Sequence, residues 1–244
     1  MEPQTPSTAR MIDYWLGGKH HFPIDVAAAG AFEAAYRPCA DIFGSVRAFS
    51  GRAVRHATAA GIDQFLVFGA GLPTRSNVHE TAPGARVLYT DLDPLIVEAG
   101  RRILAGSEHT GYVHGDVTDL DSIDRADLDR VLPDWNSRPL GVVLFGLPAF
   151  FDDATLAATL DALYEAVPTG SRLLFDFDAT ELQDYPRALA MMGPSFHMRE
   201  PTRFAALLGR WTPTPEGIVP VAHWLPDGRA EDVPDAFWGG VAVK

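Results

Sequence analysis

Gly69 and Gly71 flank Ala70 at the end of an apolar run, "QFLVFG" (64–69), and acids stand at the ends of the next two such runs. Asp91 closes "RVLYTD" (86–91), and Asp116 follows "TGYVHG" (110–115). Glycines at a first strand-to-helix turn let the backbone approach a ligand closely, and N–H groups at the start of the next helix can meet an anionic group. An acid at the end of the second strand can accept hydrogen bonds from a ribose diol. An acid at the end of the third is placed to accept from the exocyclic amine of adenine. Glycine, acid and acid on three successive strand ends point to an adenosine-bearing ligand. A dinucleotide fingerprint would put a third glycine at position 74; Thr74 stands there, which counts against a nicotinamide-dependent oxidoreductase. "DLDP" (91–94) also carries helix-starting chemistry, with Asp93 as N-cap and Pro94 in the first helical position.

These residues need a scaffold that brings strand ends together. "PLGVVLFG" (139–146) and "SRLLFDF" (171–177) continue the series of short apolar runs, with helical stretches between them. Runs buried on both faces and spaced by crossover helices predict a parallel sheet between helical layers, with ligands gathering beyond the carboxyl ends of the strands. "GIVPVAHW" (217–224) and "FWGGVAVK" (237–244) have no helix between them and are expected to pair antiparallel. The fold class is α/β, Rossmann-like: a mostly parallel seven-stranded sheet with an antiparallel C-terminal hairpin. Ahead of it, helices are expected from Ser7 or Thr8 to Leu16, from Ile24 to Tyr36 and from Asp41 to Ala60. They form an N-terminal helical cap over residues 1–60, leaving 61–244 as the ligand-binding core.

Composition sets the class of partner. Apolar residues make up 47% of the 244, enough for a large core. Twenty Lys and Arg stand against 32 Asp and Glu, a formal charge of -12 whose field repels a phosphate backbone, so nucleic acid is not an expected partner. Cys39 is the only cysteine, which excludes an intramolecular disulfide and any multi-cysteine metal site; it reads as a small core residue. No basic-then-apolar leader and no apolar run of about 18 residues is seen, so the protein is expected in the cytoplasm and away from membranes. The acidic stretch "DVTDLDSIDRADLD" (116–129) reads as a solvated loop and helix face, and no HExxH, paired CxxC, GxxxxGK[ST] or GxSxG pattern occurs. No metal is expected.

At this point the chain resembles a known family, the S-adenosylmethionine-dependent methyltransferases of the DUF574 type. The resemblance is carried by "STARMIDYWLGGKHHFPID" (7–25), "VRAFSGRAVR" (46–55), "GIDQFLVFGAGLPTRSNVHE" (61–80), "VLYTDLDP" (87–94), "PTGSRLLF" (168–175) and "GIVPVAHWLPDG" (217–228), and it covers essentially the whole chain. It implies a class I methyltransferase fold, S-adenosylmethionine as cofactor with S-adenosylhomocysteine as product, and N-terminal helices closing over the cofactor. On that pattern Gly69, Gly71, Asp91 and Asp116 bind the cofactor, with Ala70 between the glycines, and Leu92 and Val117 neighbour the adenine; Tyr14 and Asp13, on the short first helix, are placed to reach the ligand, and Asn77 to touch its methionine end. Asn77 also reads as a helix cap.

The same resemblance places His21, in a glycine-flanked loop, over the pocket, where an imidazole can serve as general base. A surface loop histidine is the competing reading for it and for His20. "FGLPAFF" (145–151) follows the fourth strand, where related enzymes place acceptor-contacting residues, so Leu147, Phe150 and Phe151 read as a hydrophobic substrate wall, with core packing as the alternative.

The chain also departs from the family pattern. Val67 stands where the family has an acid, as in "LDIGTG"; His20-His21 replace Asp-Asn; and Val46 replaces Asn. The missing carboxylate organises the amino group of the cofactor's methionine part, so its loss is expected to weaken that contact by ~1–3 kcal/mol unless another group substitutes. The expected function is an O- or N-directed methyltransferase acting on a small, partly apolar molecule of secondary metabolism, as a monomer or homodimer. The alternative is a non-methylating protein on the same scaffold: a cyclase, an isomerase or a ligand-binding regulator.

Overall fold

The computed structural model describes residues 3–37, 39–73 and 76–244. Its sheet follows from period-two alternation in the short apolar runs, which sends successive side chains to opposite faces. In β1 (Gln64–Val67), Phe65 and Val67 join one apolar cluster and Leu66 the other. In β2 (Arg86–Asp91), Val87 and Tyr89 oppose Leu88, and in β3 (Thr110–His114), Tyr112 opposes Val113. β4 (Gly141–Leu144) and β5 (Arg172–Asp178) continue the pattern, with Val143 and Leu174 on the first face. Because both faces are buried, each strand reads as an unbroken apolar run.

β6 (Thr212–Pro213), β7 (Val219–Pro220) and β8 (Phe237–Val243) complete a sheet of order β3-β2-β1-β4-β5-β8-β6, with β7 also on β8. The first five strands pair parallel, and β8 runs antiparallel to β5, β6 and β7. The expected mostly parallel sheet with an antiparallel C-terminal pair is what forms. It has eight strands, not seven, because Thr212 and Pro213 add a two-residue edge strand. The expected strand over 217–224 shrinks to Val219–Pro220. Pro220 has no N–H with which to extend a ladder. Beyond it the carbonyls of Val221 and Trp224 accept instead from the Arg52 guanidinium, at 2.6 and 2.8 Å.

On the first face lie α1 (Thr8–Trp15), α2 (Pro23–Glu33), α3 (Cys39–Ala59), α4 (Val78–Thr81) and α5 (Pro94–Ile103). α6 (Arg125–Val131) and α7 (Asp153–Ala166) cover the other; α8 (Pro186–Met192) adds Ala188 to the first, and α9 (Pro201–Leu207) packs Phe204 into the second. The N-terminal helices begin within two residues of their expected starts, and α2 stops three residues short of Tyr36.

Asp25 ties α1 to α2, accepting from Arg10 Nε at 2.8 Å, Ser7 N at 3.0 Å and Phe22 N at 2.9 Å. Burial opposes its charge, but these donors hold the carboxyl below its usual range. α3 packs Phe49, Ala53 and Ala57 into the same apolar cluster as Val67 and Val143, so cap and sheet share one continuous core. Cys39 is buried in it, and burial pushes its thiol up to about 12. The acidic stretch forms a solvated turn and helix, with Arg125–Asp129 and Asp127–Arg130 pairs on its surface. Among the described residues no helix is long and apolar enough to cross a membrane, and no cluster of His, Cys, Asp and Glu could hold a metal ion.

Candidate functional site

Strand order reverses between β1 and β4, and beyond the carboxyl ends of the strands there lies a cavity of about 380 Å³. Its floor is the turn after β1, where Gly69 and Gly71 adopt φ of +56° and +61°, left-handed values that L side chains rarely take. Ala70 N–H donates to Thr90 O at 2.9 Å, Gly71 N–H to Asp91 Oδ2 at 3.0 Å, and the Tyr112 hydroxyl to Gly71 O at 2.6 Å. The turn is thereby fastened to β2 and β3. Gly69 has a second reason to be glycine: a Cβ there would lie 2.6 Å from Leu147 Cδ1. The Gly71 N–H is spent on Asp91, and the next helix, α4, begins only at Val78 and is four residues long. Position 74 lies outside the described residues.

Asp91 lines the cavity from the end of β2, and its Oδ1 accepts from Asp93 N–H at 3.0 Å. Each of its oxygens holds one backbone donor and keeps a lone pair for a ligand. Asp93 caps α5 through Leu95 N at 2.8 Å, as its sequence context indicated. Leu92, exposed by 56%, and the buried Val117 line the same cavity, as does Asp116 at the end of the chain segment after β3. Asp116 Oδ1 accepts from Thr118 N and Oγ1 at 2.8 and 2.7 Å, which fixes the carboxylate and leaves Oδ2 for another donor. Asn77 also lines the cavity; its N–H and Nδ2 both donate to Glu80 Oε2, at 2.8 and 3.1 Å, the reciprocal half of a helix-starting box.

The roof comes from the N-terminal helices. α1 contributes Ala9, Ile12 and Asp13, Leu16 follows just past its end, and α3 contributes Phe43, Val46, Arg47, Ser50 and Val54. Neither His21 nor Tyr14 lines the cavity, which corrects the expectation for both. The reason is Asp13, a buried acid that must find donors: its Oδ2 accepts from His20 N at 2.8 Å and lies 2.9 Å from His21 Nδ1. The imidazole is turned inward to this carboxylate and Tyr14 packs edge-on against it, with ring centroids 5.3 Å apart. Among the described residues no histidine lines the cavity.

Leu147, Phe150 and Phe151 form one wall, with Phe150 46% exposed. Their backbone is held from behind by Arg199, a buried residue whose guanidinium donates to Pro148 O at 2.9 Å, Phe151 O at 2.5 Å and Asp153 Oδ1 at 2.8 Å. Asp176, fully buried at the end of β5, accepts from Gly146 N–H at 2.6 Å, and burial pushes its carboxyl up to about 7. Asp178 is shifted upward by burial and by Asp176 beside it. Neither acid is among the lining residues, nor are Trp224, a core residue, and Trp238.

Sequence reasoning missed the contribution of α3. Its signal was a stripe at positions 43, 46, 47, 50 and 54, one helical face that is apolar or small except for a single charge at Arg47.

A family model described as S-adenosyl methyltransferase matches residues 1–244. A candidate methyltransferase from Thermobifida fusca superposes with a TM-score of 0.89 at 29% identity, covering 98% of this chain and 95% of that one. A DUF574 family protein from Streptomyces avermitilis gives 0.88 at 30% identity, with 99% and 98% covered. Magnesium protoporphyrin IX methyltransferase from Synechocystis, solved with S-adenosylhomocysteine bound, shares the fold at 13% identity and a TM-score of 0.60, over 96% of this chain and 93% of its own. No curated protein matches the sequence.

Proposed function

The chain belongs to the S-adenosyl methyltransferase family, and on that premise we propose that it methylates a small, partly apolar molecule of secondary metabolism in one in-line displacement. The observation that carries this reading is the convergence of Asp91 and Asp116 on one cavity that an apolar wall of Leu147, Phe150 and Phe151 closes. The residues fit S-adenosylmethionine. Asp91 would hold the ribose diol, Asp116 the adenine amine, with Leu92 and Val117 against the adenine and the Gly69–Gly71 backbone beneath. When bound, the cofactor supplies an electrophilic sulfonium methyl group. The protein's own part is to orient the acceptor against the apolar wall and to exclude water under α1 and α3, which lets proximity carry the rate.

With His21 committed to Asp13, no histidine among the described lining residues offers a base. That favours an acceptor atom that arrives already nucleophilic, such as a neutral amine or an ionised oxygen. Small-molecule chemistry without nucleic acid agrees with the charge of -12. A cytoplasmic monomer or homodimer completes the reading.

A second reading, a scaffold that binds the cofactor without transferring methyl, rests on Val67, which leaves the end of β1 without an acid. Calorimetry with S-adenosylmethionine, S-adenosylhomocysteine and NAD tests both. The proposal expects the first two to bind and NAD not to, and methylated product to appear by mass spectrometry with a panel of small aromatic amines, phenols and acids. Binding without any product favours the second reading, and failure of both adenosyl ligands to bind sinks the cofactor assignment.

A further inference from the structure

Arg47 is the only cation among the described residues that line the cavity, and it makes no hydrogen bond or ion pair with any of them. It projects from the cavity-facing stripe of α3, keeps part of its surface open to that space and is otherwise surrounded by protein, so burial holds its guanidinium below its ordinary pKa. None of the acids around the cavity bonds to it, although the buried Oδ1 of Asp13 has no partner of its own. Asp91 serves Gly71 and Asp93, Asp116 serves Thr118, Asp13 serves the His20–His21 loop, and Glu80 serves Asn77. Asp176 attracts Arg47 from β5 across space; its Oδ1 accepts from Gly146 N–H, and its buried Oδ2 has no hydrogen-bond partner, Arg47 included.

The strand beneath offers nothing more. Val67 pairs with Tyr89 on one side and Val143 on the other, all three in the apolar cluster that α3 covers. Tyr89 keeps its hydroxyl on His79, 2.8 Å from Nδ1. A half-buried guanidinium with a full set of donors and no anion is costly to keep, and a ligand that brings the anion removes the cost.

We propose that Arg47 binds the α-carboxylate of the cofactor's amino-acid tail, so that a cap helix takes over the polar end of the ligand that the Val67 strand leaves unserved. The inference rests on the cofactor reading above. The polar groups of the adenosine half already have partners in Asp91 and Asp116, on the β2 and β3 side of the cavity. Arg47 reaches in from α3 instead, within electrostatic range of Tyr89 on β2, Glu80 on α4 and Asp176 on β5. The tail's carboxylate is the ligand group left for it, and the planar fork of a guanidinium suits a carboxylate.

The test compares S-adenosylhomocysteine with 5′-methylthioadenosine, which keeps the thioadenosine and lacks the amino-acid tail, by calorimetry on the full chain. Wild-type protein should prefer S-adenosylhomocysteine by roughly ten- to a hundredfold, the range of a charge-assisted pair. Arg47→Met should erase most of that preference while leaving methylthioadenosine affinity within about twofold, and Arg47→Lys, which keeps the charge and loses the fork, should fall between. Thermal unfolding without ligand should show Arg47→Met at least as stable as wild type, since an unpaired charge has been replaced by an apolar chain; a purely structural arginine would give the opposite. If wild type binds both compounds and Arg47→Met keeps the full preference, the proposal is overturned and the cofactor reading stands. If wild type binds neither compound, the cofactor reading itself fails.

Discussion

Replacing Asp91 by Ala separates ligand recognition from turn support at a residue that does both. Each carboxylate oxygen already accepts one backbone N–H at 3.0 Å, from Gly71 and from Asp93, and each keeps a lone pair toward the cavity. A ribose diol would add two charge-assisted hydrogen bonds, worth roughly 1.5–2 kcal/mol each. Their joint loss is about 3–4 kcal/mol, which is roughly 10²- to 10³-fold in the dissociation constant of S-adenosylhomocysteine by calorimetry. The same substitution strips Gly71 of its acceptor, so urea denaturation of the free protein should show a further loss of about 1–2 kcal/mol. A 2′,3′-dideoxy analogue of the ligand isolates the first effect. Wild type should bind it as poorly as Asp91→Ala binds the natural compound, and the variant should lose little more on changing to the analogue, because the two deletions remove one interaction. A loss below about fivefold, or losses that simply add, would refute the assignment of Asp91 to the diol.

Asp116→Ala should weaken S-adenosylhomocysteine by roughly tenfold and leave the inosine analogue, which has no exocyclic amine, unchanged in the same titration. Arg199→Met removes four hydrogen bonds from a buried guanidinium and frees the carbonyls of Pro148 and Phe151; the expected cost is about 3 kcal/mol by urea denaturation, and a change under about 1 kcal/mol would contradict the clamp. Asp176 rises from 3.8 to about 7 on folding, so it stays protonated in the folded chain where the unfolded chain is ionised. Its contribution is full below about pH 4 and disappears as pH climbs through 7, at most about 4 kcal/mol in all. Asp176→Asn should therefore lose less stability than wild type between pH 5 and pH 8, and equal slopes would show that the carboxyl is not shifted.

Much of this molecule could be read before folding because it obeys local rules. Strands buried on both faces write themselves as apolar runs, which placed β1 to β5, and turn glycines followed by strand-end acids placed Gly69, Gly71, Asp91 and Asp116 around one cavity. Asp93 and Pro94 announced the start of α5. What stayed hidden depends on distant partners. His21 carried the right chemistry, but its direction is set by Asp13, whose burial is a property of the packed cap. The break at Pro220 could be anticipated from the missing N–H, whereas the capture of Val221 and Trp224 by Arg52 spans more than 160 residues. Arg47 had a signal, one charge in an otherwise uncharged helical stripe, but only the folded chain shows that the stripe lines a cavity beyond the strand ends.

Leu147 sits against the turn at Gly69 on one side and forms part of the apolar wall on the other. Selection on it therefore answers to two molecules at once. On the proposed reading, shrinking it to admit a bulkier acceptor would uncover the turn beneath the methyl-donor site, so breadth of substrate and grip on the donor would trade against each other there. A lineage acquiring a new acceptor is steered first toward Phe150 and Phe151, whose side chains can change without disturbing that turn.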